Sequence, residues 1–331
     1  MRRKLSLLTL TTFSCTSSIA LTADSPPLSP PQEQVILLPL IHSDPKFTIT
    51  GRAIYLKASA EADTVGTTTL IRNGYTPNGV PLQLRSDMSW GANVDLKYTS
   101  ENNKYELGAS WFHANPSWKQ GPSTSTYITP IFGDFDQYDS VTSLTSSSRI
   151  ALNTFDITIG KGFCKREQIE LKSLIGLVGI TTRQHYNQTV HGYNVQKPTA
   201  VTSACNTNGI GLSVGAYLNF IMGSGFSLIG QTKIGLAATY LHSEIKNYDI
   251  KHPSEVASSL IINKHFLSSF IHQTLGLQWD HGFNKDKFNL GLSAGWTLAL
   301  FDTGWNIAGG GEVLQSLLGI QGLALSVFFQ F

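Results

Sequence analysis

"GLALSVFFQF", Gly322–Phe331, carries no charge and ends on an aromatic residue. Read at a period of two, Leu323, Leu325, Val327, Phe329 and Phe331 share one face, opposite Gly322, Ala324, Ser326, Phe328 and Gln330. The first face is uniformly apolar and the second small or polar, apart from Phe328. In a water-soluble sheet a terminal strand this apolar invites edge-to-edge pairing. A strand with lipid on one side and a lumen on the other requires this pattern. An ordinary sandwich strand is the competing reading, so the rest of the chain has to decide.

Four more segments alternate cleanly. Trp90, Ala92, Val94, Leu96 and Tyr98 oppose Gly91, Asn93, Asp95, Lys97 and Thr99. Tyr105, Leu107, Ala109 and Trp111 oppose Lys104, Glu106, Gly108 and Ser110. The stretches from Gly209 to Phe220 and from Phe288 to Leu300 behave alike. Noisier segments start at Phe47, Arg149, Gln168, Phe226 and Ser268; the third turns apolar on both faces after Lys172, and Ile229 interrupts the polar face of the fourth. With the terminal strand the series numbers ten, twelve being the alternative.

The connections separate barrel from sandwich. Ser100–Asn103, Lys161–Glu167, Met222–Gly225 and His281–Asp286 are short and rich in turn formers. They alternate with long connections at Ser59–Met88, Ala114–Ser148, Arg183–Thr207, Ser243–Leu267 and Asp302–Gln321. Such asymmetry characterises outer-membrane barrels, with short periplasmic turns and longer extracellular loops. The expected fold is therefore all-β: a transmembrane up-and-down antiparallel barrel over residues 47–331. In hydrocarbon every backbone polar group needs a partner within the protein, so the sheet has to close. Trp90, Tyr98, Tyr105, Trp111, Trp279 and Trp296 are candidates for interfacial aromatic girdles where they fall near strand ends.

The other end of the chain agrees. "MRRK" followed by the short apolar run Leu5–Phe13 and small residues up to Ala20 or Ala23 has the layout of an export signal, assigned to residues 1–23. Cys15 would suggest a lipidated cysteine, but Phe13 fits such a site poorly. Residues 24–46 are Pro-rich and read as a linker, either a periplasmic tail or a segment tucked into the lumen. No later run approaches the roughly 18 apolar residues of a membrane helix. Charged residues make up 14% of the chain, below the roughly 25% usual in soluble domains. A net charge of +2 without basic–aromatic runs speaks against nucleic acid as a partner.

Enzymatic chemistry finds little footing, and none is expected. There is no phosphate-cradling loop, and Gly209-x-Gly211 sits in a strand. Gly309–Gly311 reads as a flexible turn, and the Asn187-Gln188-Thr189 sequon as chance in an envelope protein. His185 and His191 have no Cys or carboxylate beside them for a metal. His272 and the Asp280–His281 pair lie roughly 26 Å apart along an extended strand, beyond hydrogen-bond reach. No cofactor is expected. The functional candidates are instead the lumen-facing Arg52, Asp95, Lys97, Glu106, Asp156, Glu170, Lys172, Lys233, His272 and Asp280. They either pair into salt bridges filling a narrow interior or line a water-filled passage. Past the signal, Cys164 and Cys205 belong to opposite ends of the barrel, so no disulfide is expected between them.

Trp90-Gly91 leading to Leu96-x-Tyr98-Thr99 and the hairpin to Trp111 resembles the Legionella-type major outer membrane proteins, also seen in chlamydia-like bacteria. Asp156-x-x-x-Gly160, Gly176-Leu177, Gly209-x-Gly211 and Gly319–Phe331 follow in the same order. Thr297 stands after Gly295-Trp296 where that family leads one to expect an acid. The resemblance implies a pore-forming barrel of the bacterial outer membrane that passes small solutes passively. Its partners would be outer-membrane lipid and the barrel-assembly machinery, and a homo-oligomer is compatible with it. Leu323, Leu325, Val327, Phe329 and Phe331 would form the assembly signal. A structural or adhesive barrel with a filled lumen is the alternative.

Overall fold

The computed structural model describes residues 45–60, 64–68, 80–83, 85–101, 105–130, 141–165, 168–192, 199–249, 256–283, 288–305 and 314–331. The expected export signal, nearly all of the Pro-rich segment and Gly309–Gly311 lie outside these residues. Among the described residues no helix is long and apolar enough to cross a membrane. The secondary structure is strand throughout: β1 (Lys46–Ala60), β2 (Thr64–Thr68), β3 (Val80–Gln83), β4 (Arg85–Ser86), β5 (Ser89–Thr99), β6 (Tyr105–Ala114) and β7 (Ser117–Pro130), then β8 (Val141–Lys165), β9 (Ile169–Gly192), β10 (Thr199–Gly223), β11 (Phe226–Asp249), β12 (Val256–Phe283), β13 (Phe288–Trp305) and β14 (Leu314–Gln330).

The sheet closes on itself. β1 pairs antiparallel with β14 on one side and β5 on the other. The path continues β5–β6–β8–β9–β10–β11–β12–β13–β14 without a crossover. That is a ring of ten staves. Two staves are broken: β7 resumes the pairing of β6 along β8, from Ala114↔Leu152 to Ser117↔Arg149, after the interruption at Asn115-Pro116. Pro116 has no N–H to give to a ladder, but its carbonyl still accepts from Ile150 N–H at 3.0 Å. β4 continues β5 in the same way, with Arg85 and Ser86 opposite Lys119 and Trp118. The short β2–β3 pair joins β7 through Gly66–Thr68.

The chain ends on the ring seam. Phe331 exchanges backbone hydrogen bonds of 2.9 and 2.7 Å with Phe47, and their rings lie 5.5 Å apart. The one short turn described in full, Gly223–Gly225, lies at this same end. Ser224 and Gly225 have φ of 54° and 80°, the pair of positive values that a two-residue hairpin matched to strand twist demands. A short turn of this kind places this end in the periplasm.

The period-two pattern changes sign part way up β9 and β10. On β10 the outward Ile210, Leu212 and Val214 are 68%, 64% and 57% exposed, while the inward Ser213 is 2% exposed. This is the membrane band, apolar outside and polar inside. Higher up β9 the outward residues become Thr181, Arg183 and His185, while the inward Tyr186 and Val190 are buried. There the wall stands in water, so the apolar residues turn inward as they do in a soluble barrel. The crossover lies at residues 174–180 of β9, where both faces are apolar.

The same reversal corrects the loop assignment. Much of Arg183–Thr207 and Ser243–Leu267, expected as long loops, is strand of β9 to β12, and Ala114–Ser148 contains β7. Above the bilayer the outward apolar residues that mark a membrane strand have no solvent to face, so the signal vanishes although the strand continues. Outward aromatics gather near the periplasmic end at Tyr98, Tyr105, Phe226, Phe283, Phe288 and Phe329. The Trp90 ring lies tilted against Tyr55 at 5.0 Å nearer the other edge of the band.

Candidate lumen site

All ten candidate lumen residues sit on the inward phase of their strands, and nine of them meet a side-chain partner. β1 aims Arg52 at two neighbours, Asp95 on β5 at 3.8 Å and, through Nε, the Ser326 hydroxyl on β14 at 3.0 Å. Lys172 of β9 donates to Glu106 of β6 at 2.8 Å and lies 3.4 Å from Glu170. Lys97 of β5 reaches the other oxygen of Glu106 at 3.6 Å. Both ammonium groups lie beside the Tyr217 ring of β10, 5.3 and 5.7 Å from its centroid. Lys233 of β11 is bonded to Asp156 of β8, which also accepts from Ser213 at 3.3 Å. The His272 Nε2 of β12 lies 3.1 Å from the Thr297 hydroxyl. Asp280 completes the set at the periplasmic mouth.

These groups divide between two levels. The lower one is a chamber of about 340 Å³ at the periplasmic end, lined by Arg52, Asp95, Lys97, Glu106, Glu170, Lys172, Tyr217, Ile229 and Asp280, among others. Its rim is tied by Asn289 donating to Gln330 at 2.9 Å and Gln330 to Thr48 at 3.1 Å. Phe328, the aromatic on the small face of the terminal strand, packs over Gly291, where a Cβ would lie 2.0 Å from its ring. The upper level, around Asp156, Lys233 and His272, retains a cavity of about 30 Å³, enough for about one or two waters.

Above the charges the lumen is apolar and packed. Ile54, Leu56, Phe112, Leu152, Ile180, Phe270, Phe301, Leu318 and Ile320 belong to one buried cluster, each 5% exposed or less. At the base of this layer the His272 ring meets Phe112 at 6.0 Å, reaching β6 from β12 on the opposite wall. Higher still, outside the membrane band, burial pushes the Tyr186 phenol up, so it stays protonated and donates to Ser146 at 3.5 Å. None of these inward apolar residues was identified from the sequence as lumenal. The signal is the simultaneous apolarity of both faces in residues 174–180, which by itself reads only as a noisy strand but marks the level where polarity changes sides.

Other candidates separate. Asp280 and His281 are adjacent in a strand and therefore face opposite sides; His281 stacks outward on Trp279 at 5.9 Å and meets Phe283 edge-on at 4.8 Å. Among the described residues no three His, Cys, Asp or Glu side chains group to hold a metal ion. His185 is outward on β9, and the His191 side chain lies outside the described set. Cys164 pairs with Leu171 of β9, whereas Cys205 pairs with Gln184 far up the same strand.

No curated protein matches the sequence. Several solved outer-membrane barrels resemble the structure weakly. The outer membrane protease OmpT of Escherichia coli has a TM-score of 0.39 at 9% identity, over 86% of this chain and 96% of its own. Ail, the attachment invasion locus protein of Yersinia pestis, has 0.25 at 11% over 87% and 100%; the Pseudomonas putida toluene transporter TodX has 0.29 at 8% over 87% and 89%. Likenesses this low carry no argument about activity. The sequence itself matches the family model of the Legionella pneumophila major outer membrane protein precursor over residues 42–331. A match of that extent, on a closed ring with an apolar exterior band, makes this chain an outer-membrane β-barrel protein belonging to the Legionella major outer membrane protein family.

Proposed function

We propose that the barrel is a narrow channel for ions and small hydrophilic solutes, without enzymatic activity, entered through the charged periplasmic chamber and throttled by the apolar layer above it. The chamber carries this reading: about 340 Å³ of space bordered by charges of both signs, with Lys97 32% exposed to it. Charges of both signs predict weak ion preference, and an apolar constriction limits flow by dewetting. The family supports a pore-forming role by resemblance. The apolar layer itself favours a second reading, a scaffold whose lumen is solid at that level and whose extracellular wall is the working surface.

Planar-bilayer conductance of the refolded protein separates the two. The channel reading expects small discrete steps from the wild type, larger steps after Leu56→Gly with Leu152→Gly, and a shift toward cations in Lys97→Glu. A silent wild type that conducts only once the layer is thinned would establish the scaffold.

A further inference from the structure

We infer that the outward face of β8 and β9 just above the membrane band, centred on Arg149, Arg183 and His185, binds the phosphate groups of an outer-leaflet phosphoglycolipid. Arg149 pairs directly across the ladder with His185, and Ala151 with Arg183, so Arg183 is the diagonal neighbour of Arg149. Such positions put Cβ atoms roughly 5–8 Å apart. All three side chains are exposed on the same face. Among the described residues no carboxylate lies within ion-pair distance of them. The outward acid of this region, Glu244 on β11, is already taken by Lys246 at 2.9 Å. Among the described residues Arg149 spends only its Nε on an acceptor, Asn115 Oδ1 at 2.8 Å.

Two adjacent guanidinium groups, with no carboxylate among the described residues to neutralise them, repel one another, and cross-strand neighbours of like charge destabilise a sheet. A bound anion removes that cost. Height selects the anion. Below the cluster the outward residues are Phe155, Ile157 and Leu177, each more than half exposed and facing lipid tails. Arg183 stands four residues above Gly179, which on a tilted strand is roughly 10 Å higher, at the level of headgroups. The planar guanidinium fork matches phosphate oxygens in a bidentate manner. Around it, the outward Asn153, Thr181, Asn187, Asn206 and Asn208 offer amides and a hydroxyl of the kind that hydrogen-bond sugar hydroxyls. Cations beside neutral hydrogen-bonding groups complement a phosphorylated sugar headgroup better than a zwitterionic one, whose own ammonium would meet the arginines.

The test uses the mature, refolded protein in phosphatidylcholine vesicles doped with diphosphoryl lipid A or with its dephosphorylated form, and does not require conduction. The wild type should bind the phosphorylated form at least tenfold more tightly, with a steep salt dependence. Arg149→Gln with Arg183→Gln should erase that difference while retaining the heat-modifiable gel migration of a folded barrel in pure phosphatidylcholine. Equal binding of the two lipids by the wild type overturns the inference, as does undiminished binding by the folded double variant. Inorganic phosphate bound as tightly as lipid A would overturn the lipid assignment. Should the double variant not fold, the two wild-type arms still decide.

Discussion

Asp156 and Lys233 show what a lumenal charge does in this barrel. Their side chains are 9% and 11% exposed and bonded to each other, so neither faces bulk water. Removing one partner strands the other, at a cost of about 3–5 kcal/mol, whereas replacing both by apolar groups of similar size is far milder. Asp156→Leu or Lys233→Met alone should therefore lower unfolding stability in detergent by that amount, and the double replacement should recover most of it. Additive losses in that cycle would mean the pair is not coupled. The inward position of both residues was legible from alternation, because each sits on the polar phase of its strand. Their pairing was not, since it links β8 to β11 across 77 residues and past two intervening staves.

Within a strand, the reversal of polarity is the governing feature, and β10 tests it directly. Leu212 and Asn206 point outward from the same strand six residues apart, one in the lipid band and one above it. Leu212→Arg should cost about 2–4 kcal/mol, whereas Asn206→Arg, which faces water and meets only the cross-strand repulsion of Arg183, should cost no more than about 1 kcal/mol. Urea unfolding of the barrel in lipid vesicles reads both, and equal penalties would place the band elsewhere. β14 is the second informative element. Leu323, Leu325, Val327 and Phe329 face lipid, each 42–53% exposed, while its backbone closes the ring against β1. We propose that these residues with Phe331 also address the chain for assembly. Deletion of Phe331 removes two seam hydrogen bonds and two aromatic contacts out of a long ladder. Outer-membrane accumulation in cells should then fall several-fold while refolding into detergent survives; parallel losses in both assays would reduce the role of Phe331 to stability.

At the scale of the whole molecule, the ring sorts residues by height as well as by face. Leu171 and Gln184, the β9 partners of Cys164 and Cys205, are separated along one strand by roughly 40 Å. A Cα separation beyond about 7 Å rules out a bridge. Intact mass under non-reducing conditions should show the chain without a Cys164–Cys205 disulfide, and a peptide linking them would break the register of three staves at once. Ring closure and the inward phase of the candidate charges were readable from the sequence alone, which allowed either ten or twelve staves. A membrane strand alternates under one simple demand, lipid outside and polarity within, and that demand is local to a few residues. The rest depended on the tertiary structure. Height above the bilayer is no property of a single strand, so it took the assembled wall to show that inferred loops are strand and that the apolar residues over the charges fill the lumen. Which charges meet was likewise decided by curvature, because only a closed ring brings residues from separated staves to one axis.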